Sequence, residues 1–582
     1  MNDYPKASLV QNLVNGLDSP AIKGVSISTE RLEFMNGFGQ KTVAYMDVRE
    51  GDTSPLGTVL IAPAYGETKE HNLLISAYLA ANGFCCVRFD WTDHVGESDG
   101  EIFSSTLSKM SRDLSELISY MRGKCSSRNV GILATSLAAR AALKMASCDP
   151  RPKFLICFAP VVNVGATLKM VYREDLVENF RQGKRYGTLD ILGFSIDADN
   201  FLRDAIEKSF ADISSTSQDT RKITIPTMFF VGQRDSWVQM ADAESVLDTV
   251  ENDNKNLFVL PTSLHRLLEN PAAAEKGLKL AIARLLSTFG PECIDVTRIE
   301  VPDADRLQVR EAEEKAHLRD LYAYSKSEER RFWKKYLGNF HYIINISDYY
   351  NLLESIYERL GGAWEGQKIL DAGCGIGNYG LFILTKELYR KLHGPPHLSP
   401  ISYVGVDFLE DATAQASRKI KELESEFKTK ASLLYRAADF FDHQFVVADL
   451  EMYIPFPDNF FDQVCANFVL SYLQNPDKVI RELWRVLRPG GKIVISSLKP
   501  NADLSEVYRN FISVAESPRE IEEGRKLLSN AGMIRLKEVV GVYHFYNEKE
   551  LKATVRKAGF RRVKTFHAFG NQANLVVCSK MQ

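Results

Sequence analysis

At 582 residues the chain is long enough for two large α/β domains or about three to four smaller ones. Its residues are 45% hydrophobic and 25% charged, an ordinary globular balance with ample core, and a net charge of −3 offers no basic excess to suggest nucleic acid as the main substrate. The nine cysteines are scattered with no C-x-x-C pair, which points to a reducing cytoplasm and away from a metal site. The polar start, Met1-Asn-Asp-Tyr-Pro5, and the lack of any apolar run of spanning length predict neither a signal peptide nor a membrane span.

Residues 1–22 carry little pattern and read as a loose arm. Residues 24–48 alternate apolar positions about Asn36-Gly37, the pattern of a β-hairpin. Thr58-Val-Leu-Ile-Ala62 is a short buried strand, broken by Pro63-Ala-Tyr-Gly66 and followed by a helix near residues 72–82. Phe84 to Asp90 is the next strand, and residues 107–122 form an amphipathic helix. Then Val130–Leu133 reads as a strand and residues 138–146 as a strong helix former. Ser136 is pinched between them.

A serine on a tight strand-to-helix turn is either a helix cap or a nucleophile. The turn is crowded and needs small residues two positions either side. Here these are Ala134 and Ala138, in place of the usual glycines. Later strands decide between the readings. Ile225 to Val231 runs into Gly232-Gln-Arg-Asp235, and Leu257 to Leu260 runs into Pro261-Thr-Ser-Leu-His265. Ser, Asp and His, in that order and each just past a strand, form the chain order of an α/β-hydrolase triad. His265 can take the proton of Ser136, and Asp235 can fix the tautomer of His265.

Leu60-Ile-Ala62, Arg88-Phe-Asp90, His94-Val-Gly, Ser136-Leu with Ala139-Arg140, Val162-Asn163 and Asp235 with Trp237-Val238 together resemble the acyltransferase/thioesterase family of bacterial bioluminescence systems. The resemblance spans about residues 32–297. It implies an α/β-hydrolase fold over residues 1–300 and a transient acyl ester on Ser136. It also implies an oxyanion held by the backbone N–H groups of Tyr65 and Leu137, a helical cap over about residues 163–221, and acyl carrier protein or another acyl thioester as partner.

Residues 301–335 are rich in Glu, Lys, Arg and Ala at helical spacing and read as a charged helical linker, stiff or merely solvated. Arg330-Arg-Phe-Trp-Lys-Lys-Tyr336 mixes bases with aromatics. One short patch on a weakly acidic chain reads as an amphipathic helix face rather than an RNA contact. A helix over residues 342–360 brings Tyr349 and Tyr350 forward as pocket residues.

The strongest chemical signal follows: Lys368-Ile-Leu-Asp371-Ala-Gly373-Cys-Gly375-Ile-Gly377-Asn378. An apolar strand ends in an acid, and three glycines let the backbone approach a ligand. A nicotinamide-binding turn would want its third glycine one position later, where Asn378 stands. Further strand ends follow at Tyr403-Val-Gly-Val-Asp407, Phe445-Val-Val-Ala-Asp449, Phe461 to Asn467 and Leu487-Arg-Pro-Gly-Gly. The last antiparallel pair is expected near residues 559–563 and 575–578, and residues 502–541 interrupt the series.

This series resembles the class I S-adenosylmethionine-dependent methyltransferases. It implies a Rossmann-like α/β domain over residues 336–582. Gly373, Gly375 and Gly377 would face the methionine part of S-adenosyl-L-methionine, with Asp371 on its amino group. Asp407 would take the ribose hydroxyls, Asp449 the adenine amine, and Asn467 would complete the cofactor side. Cys374 reads as packing.

The fold class expected is therefore α/β, an α/β-hydrolase fold followed by a methyltransferase. The function expected is release of an acyl chain from a carrier thioester and methylation of the freed acid. A carboxylate acceptor needs no base, and no histidine lies near Asn467-Phe-Val-Leu-Ser-Tyr472 to supply one. Two alternatives stand beside it: methylation of a carrier-bound chain before release, and a first half that only docks a carrier. The acceptor is a small molecule in every case.

Overall fold

A computed structural model describes residues 24–124, 129–289, 299–322, 325–338, 340–393, 399–431 and 441–581. The expected N-terminal arm, residues 1–22, lies outside them. The chain divides into two compact units, one of residues up to Leu318 together with Ala531–Val539, the other of Arg319–Asn530 with Val540 onward.

The first unit is built on an eight-stranded sheet, order β1-β2-β4-β3-β5-β6-β9-β10. Its strands are β1 (Ile27–Met35), β2 (Lys41–Arg49), β3 (Thr58–Ala62), β4 (Cys85–Phe89), β5 (Val130–Thr135), β6 (Leu155–Phe158), β9 (Thr227–Gly232) and β10 (Lys255–Leu260). From β4 to β10 neighbours run parallel, with Leu60 opposite Ile132 and Ala134 opposite Cys157. Parallel strands are covered on both faces, so β3 and β4 are buried throughout and apolar but for Thr58 and Arg88. The helices Leu107–Lys124 and Leu137–Cys148 bury one face in a single cluster. Leu73–Ala81 and Pro271–Phe289 bury the other.

The β1–β2 hairpin is present, but its turn is longer than the Asn36-Gly37 pair suggests. Asn36 Oδ1 accepts the N–H groups of Phe38 and Gln40, and the left-handed residue is Gly39, φ +75°. The asparagine side chain mimics a backbone turn and so lengthens the loop. Residues 163–221 hold the helices Val164–Tyr172, Leu176–Arg181, Ala198–Glu207 and Ile213–Thr220. They also hold a small hairpin, β7 (Thr188–Ile191) with β8 (Phe194–Asp197). Helix Ala304–Leu321, in the charged stretch, sends Glu314 to a buried ion pair with Arg88, which also binds Asp47.

The second unit carries a seven-stranded sheet, order β13-β12-β11-β14-β15-β17-β16. Its strands are β11 (Lys368–Ala372), β12 (Ile401–Asp407), β13 (Phe441–Val447), β14 (Phe461–Ala466), β15 (Leu487–Leu498), β16 (Arg561–Ala568) and β17 (Ala573–Ser579). The first five run parallel, and β17 is antiparallel to both β15 and β16. Strand order reverses between β11 and β14. In open α/β sheets that switch point opens a crevice at the carboxyl ends of the strands.

Candidate active sites

In the first unit β5 ends at Thr135 and the next helix begins at Leu137, leaving Ser136 at φ 58°, ψ −123°. Side-chain-bearing residues rarely adopt this conformation, and its surroundings must over-determine it. The Ser136 N–H donates to Phe158 O at 2.9 Å, and Val161 N–H donates to Ser136 O at 3.1 Å. Ala134 and Ala138 are fully buried beside it, which is why small residues flank the turn.

Ser136 Oγ lies 2.8 Å from His265 Nε2, and His265 Nδ1 lies 2.8 and 3.0 Å from the two oxygens of Asp235. The residues are 129 and 30 positions apart in the chain, yet they form one continuous hydrogen-bonded relay. Asp235 follows β9 and is aimed by its own turn, since Oδ1 accepts the N–H groups of Trp237 and Val238. His265 sits in the loop after β10.

Tyr65 follows β3. Neither its backbone N–H nor that of Leu137 donates to another described residue. The Leu137 N–H opens a helix and has no acceptor within it. Beside Tyr65, Gly66 has φ +76°, and a Cβ there would lie 2.5 Å from the Phe194 ring of β8. The Gly66 N–H donates to His94 Nε2 at 3.3 Å. Burial pushes the His94 imidazole down to about 3, so it is neutral and accepts. His94 belongs to a stretch that matches the family, with no sequence signal for this contact, and Phe194 comes from residues 163–221, where spacing carries none.

In the second unit Gly373, Gly375 and Gly377 have φ of +75°, +50° and +76°, so each adopts the backbone that only glycine takes freely. Cβ atoms at Gly373 and Gly377 would strike Val469 and Ala416. The Gly375 N–H donates to Asp407 Oδ2 at 2.9 Å, and Leu409 N–H donates to Asp407 Oδ1 at 3.0 Å. Burial raises the Asp407 carboxyl despite these bonds.

Asp371 is buried on β11 and accepts the Tyr403 hydroxyl at 2.6 Å. Burial drives its pKa up to about 7, the Tyr403 bond opposes this, and the charge of Asp407 adds to it. Asp449 stands two residues past β13, accepts the Glu451 N–H at 2.9 Å and pairs with Lys326 at 3.3 Å. Asn467 follows β14, and its Oδ1 accepts the Ser496 hydroxyl at 2.6 Å. The four polar groups thus stand at the carboxyl ends of the neighbouring parallel strands β13, β12, β11 and β14. Cys374 is buried, and burial pushes its thiol up.

Other residues here were not singled out for the site. Asn378 is buried at the start of helix Asn378–His393, with its side chain against the Tyr349 hydroxyl. The helix Lys326–Gly338 packs Trp333 and Leu337 onto Ile376, Phe408, Leu409 and Ala412. The Trp333 ring also lies tilted 4.6 Å from that of Tyr472, and Tyr472 meets edge-on, at 4.9 Å, the ring of Tyr543, whose hydroxyl donates to Glu329 at 2.5 Å. The aromatic-basic stretch 330–336 was the available signal, and it marked only a helix face. Of the two tyrosines brought forward, Tyr349 is buried and Tyr350 is exposed. Among the described residues no cluster of three or more His, Cys, Asp or Glu could hold a metal ion, and no helix is long and apolar enough to cross a membrane.

The architecture is that of two α/β domains, an acyl transferase or hydrolase-like one followed by a Rossmann-like methyltransferase one. The family described as acyl transferase matches residues 45–315, and that described as methyltransferase domain matches residues 370–495. Through its first half the chain belongs to the acyl transferase family. It is 30% identical to an acyl transferase of Photobacterium phosphoreum over 213 residues, 37% of this chain and 69% of that protein. It is 28% identical to an acyl transferase of Vibrio campbellii over 268 residues, 46% of this chain and 87% of that one. Similar solved structures include Est1E of Butyrivibrio proteoclasticus with ferulic acid bound, at 18% identity, TM-score 0.38, covering 44% of this chain and 98% of that one. An esterase of Pyrococcus furiosus gives 16% identity, TM-score 0.34, and covers 47% and 100%.

Proposed function

We propose that the protein is a bifunctional enzyme that releases an acyl chain from a carrier thioester through an acyl ester on Ser136 and methylates the released acid with S-adenosyl-L-methionine. One observation carries the first half: the unbroken relay from Ser136 Oγ through His265 to Asp235. A module that only docked a carrier would need neither the relay nor the strained backbone at Ser136.

Ser136 Oγ attacks the thioester carbonyl carbon while His265 Nε2 takes its proton. The N–H groups of Tyr65 and Leu137 hold the oxyanion. His265 then passes the proton to the departing thiol, and a water activated in the same way frees the acid. Acyl carrier protein, or another acyl thioester, would be the donor.

For the second half, the residues fit S-adenosyl-L-methionine. Acids stand at adjacent strand ends of a switch point, a glycine turn lies beside them, and Asn378 adds a buried amide at the start of the helix that follows. Asp371 would meet its amino group, Asp407 its ribose and Asp449 its adenine, with Asn467 alongside. Bound there, it supplies a methyl group activated on sulfur. The protein's part is to align the acceptor and keep water out, and the aromatic side chains over the glycine turn suit both tasks.

The Tyr543–Glu329 pair favours a second reading. A phenol bonded to a buried carboxylate can relay a proton, which a hydroxyl acceptor needs and a carboxylate does not. Methylation would then act on the chain while it is still attached to its carrier.

A fluorophosphonate probe tests the serine reading. Wild-type protein should be labelled at Ser136, and His265→Ala should lose most of the labelling by removing the base. Labelling indifferent to His265 would remove the triad.

A further inference from the structure

We propose that residues Ala531–Val539 are a working part of the serine site, with Arg535 a positioning residue that acts through Glu67 on the Tyr65 turn. The inference rests on the acyl-ester reading of Ser136.

These nine residues belong to the first compact unit although the rest of that unit ends at Leu318. Two contacts fix them there. Arg535 Nη2 donates to Glu67 Oε1 at 2.7 Å, across 468 positions of chain. Three residues earlier, a Cβ on Gly532 would lie 1.7 Å from the carbonyl oxygen of Leu192 in the β7–β8 turn, so only glycine permits the approach. The same hairpin supplies Phe194, which covers Gly66. The segment therefore touches the Tyr65 turn from two sides, once through Glu67 and once through the hairpin above it.

Glu67 is well placed to transmit position. It follows Tyr65-Gly66 directly. The same oxygen that binds Arg535 also lies 3.5 Å from Arg266 Nη1, and Arg266 is the residue after His265. One carboxylate thus ties the loop of the oxyanion donor to the loop of the base. Burial would raise Glu67, but the charges of Arg535, His71 and Arg266 reverse this and hold it at about 2, so it remains an anion.

Stability alone is a poor reason for the pair. The two side chains are 11% and 13% exposed, and Arg535 Nε and Nη1 are buried with no partner among the described residues. A buried ion pair so incompletely satisfied is at best neutral against well-packed apolar residues. What it does supply is a fixed geometry at a turn where small displacements matter.

The test uses the full chain with p-nitrophenyl octanoate, with active sites titrated by fluorophosphonate so that rates are counted per reactive Ser136. Arg535→Gln should lower kcat about tenfold to 100-fold with KM little changed, the cost of a misplaced catalytic group. Arg535→Lys should restore most of the loss. Glu67→Gln, which also loses the Arg266 contact, should cost at least as much as Arg535→Gln, and the double variant should be no slower than Glu67→Gln alone, because Arg535 acts through Glu67. A purely structural role would reduce the number of titrated sites and leave kcat per site unchanged, which would overturn the inference. Additive losses would overturn it too. If Arg535→Gln does not fold, Glu67→Gln decides by the same criterion. If the wild type is neither labelled nor active on the ester, the serine reading itself fails. If it is both, and Arg535→Gln equals it, only the role of the segment falls.

Discussion

Asp371 is a carboxyl group held near neutrality inside the second unit. Its pKa rises from an ordinary 3.8 to about 7, chiefly because burial disfavours the charged form. The folded pKa lies above the unfolded one, so the native state binds the extra proton between these values. The group's contribution to stability therefore falls as pH rises from 3.8 to about 7 and is flat above that. A cation placed against Asp371 reverses the preference, because it favours the anion. If Asp371 meets the amino group of S-adenosyl-L-methionine, affinity should strengthen from about pH 6 to about pH 8, with proton release on binding. Calorimetry in buffers of different ionisation enthalpy measures both. Asp371→Asn is the control for the ligand's own amine, which also titrates: it should bind more weakly and lose this component of the pH dependence. Asp407→Ala should weaken binding by about 1–3 kcal/mol by leaving buried hydroxyls unpaired. A wild-type affinity that does not change with pH would remove Asp371 from the amino group.

The elbow is a property of an element pair, not of Ser136 alone. Its helix, Leu137–Cys148, is held at one end by the β5–β6 register and along its flank by Arg140. That guanidinium is fully buried, donates to the carbonyl oxygens of Ser209 and Phe210, and pairs with Asp219 at 2.7 Å. Asp219 in turn sits in helix Ile213–Thr220 of the cap. Arg140→Ala should therefore cost about 3 kcal/mol, because removing one partner leaves a buried charge poorly compensated. The first thermal transition should move down, and ester hydrolysis should fall as the cap loosens. An unchanged transition would mean that Lys144, 3.0 Å from the other Asp219 oxygen, carries the charge by itself. The elbow was legible in sequence because each strand is a short apolar run stopped by a polar residue. The flanking alanines remained readable once the turn's crowding was considered. The hairpin in the cap and the five-residue loop after β1 were not legible, since both depend on side chains meeting partners that no local period encodes.

At the scale of the whole chain, what was legible is what each sheet imposes on its own strands. Buried parallel strands are mostly apolar, and polar groups stand at or just past their carboxyl ends, so Ser136, Asp235, His265, Asp371, Asp407 and Asn467 could be picked out one by one as candidates. The return of residues 531–539 to the first unit could not, because it follows from a single ion pair and one glycine far apart in sequence. The aromatic residues over the glycine turn were hidden for a similar reason, as a helix face looks the same whether it packs on a core or over a ligand. Joining two chemistries in one chain allows each to be silenced separately. Given a carrier thioester, Ser136→Ala should make no free methylated acid, yet it should still methylate the acid supplied directly. Asp371→Ala should do the reverse, freeing the acid and leaving it unmethylated. Mass spectrometry of the products settles the order of the two reactions. A methyl ester labile to alkali means that release came first. A methyl group that survives saponification lies on the chain and not on the carboxylate, and methylated chain accumulating on the carrier in Ser136→Ala means that methylation came first, with the proton leaving through Tyr543 and Glu329. In that event Tyr543→Phe should slow methyl transfer sharply, whereas an acceptor that is already a carboxylate would be indifferent to the missing hydroxyl.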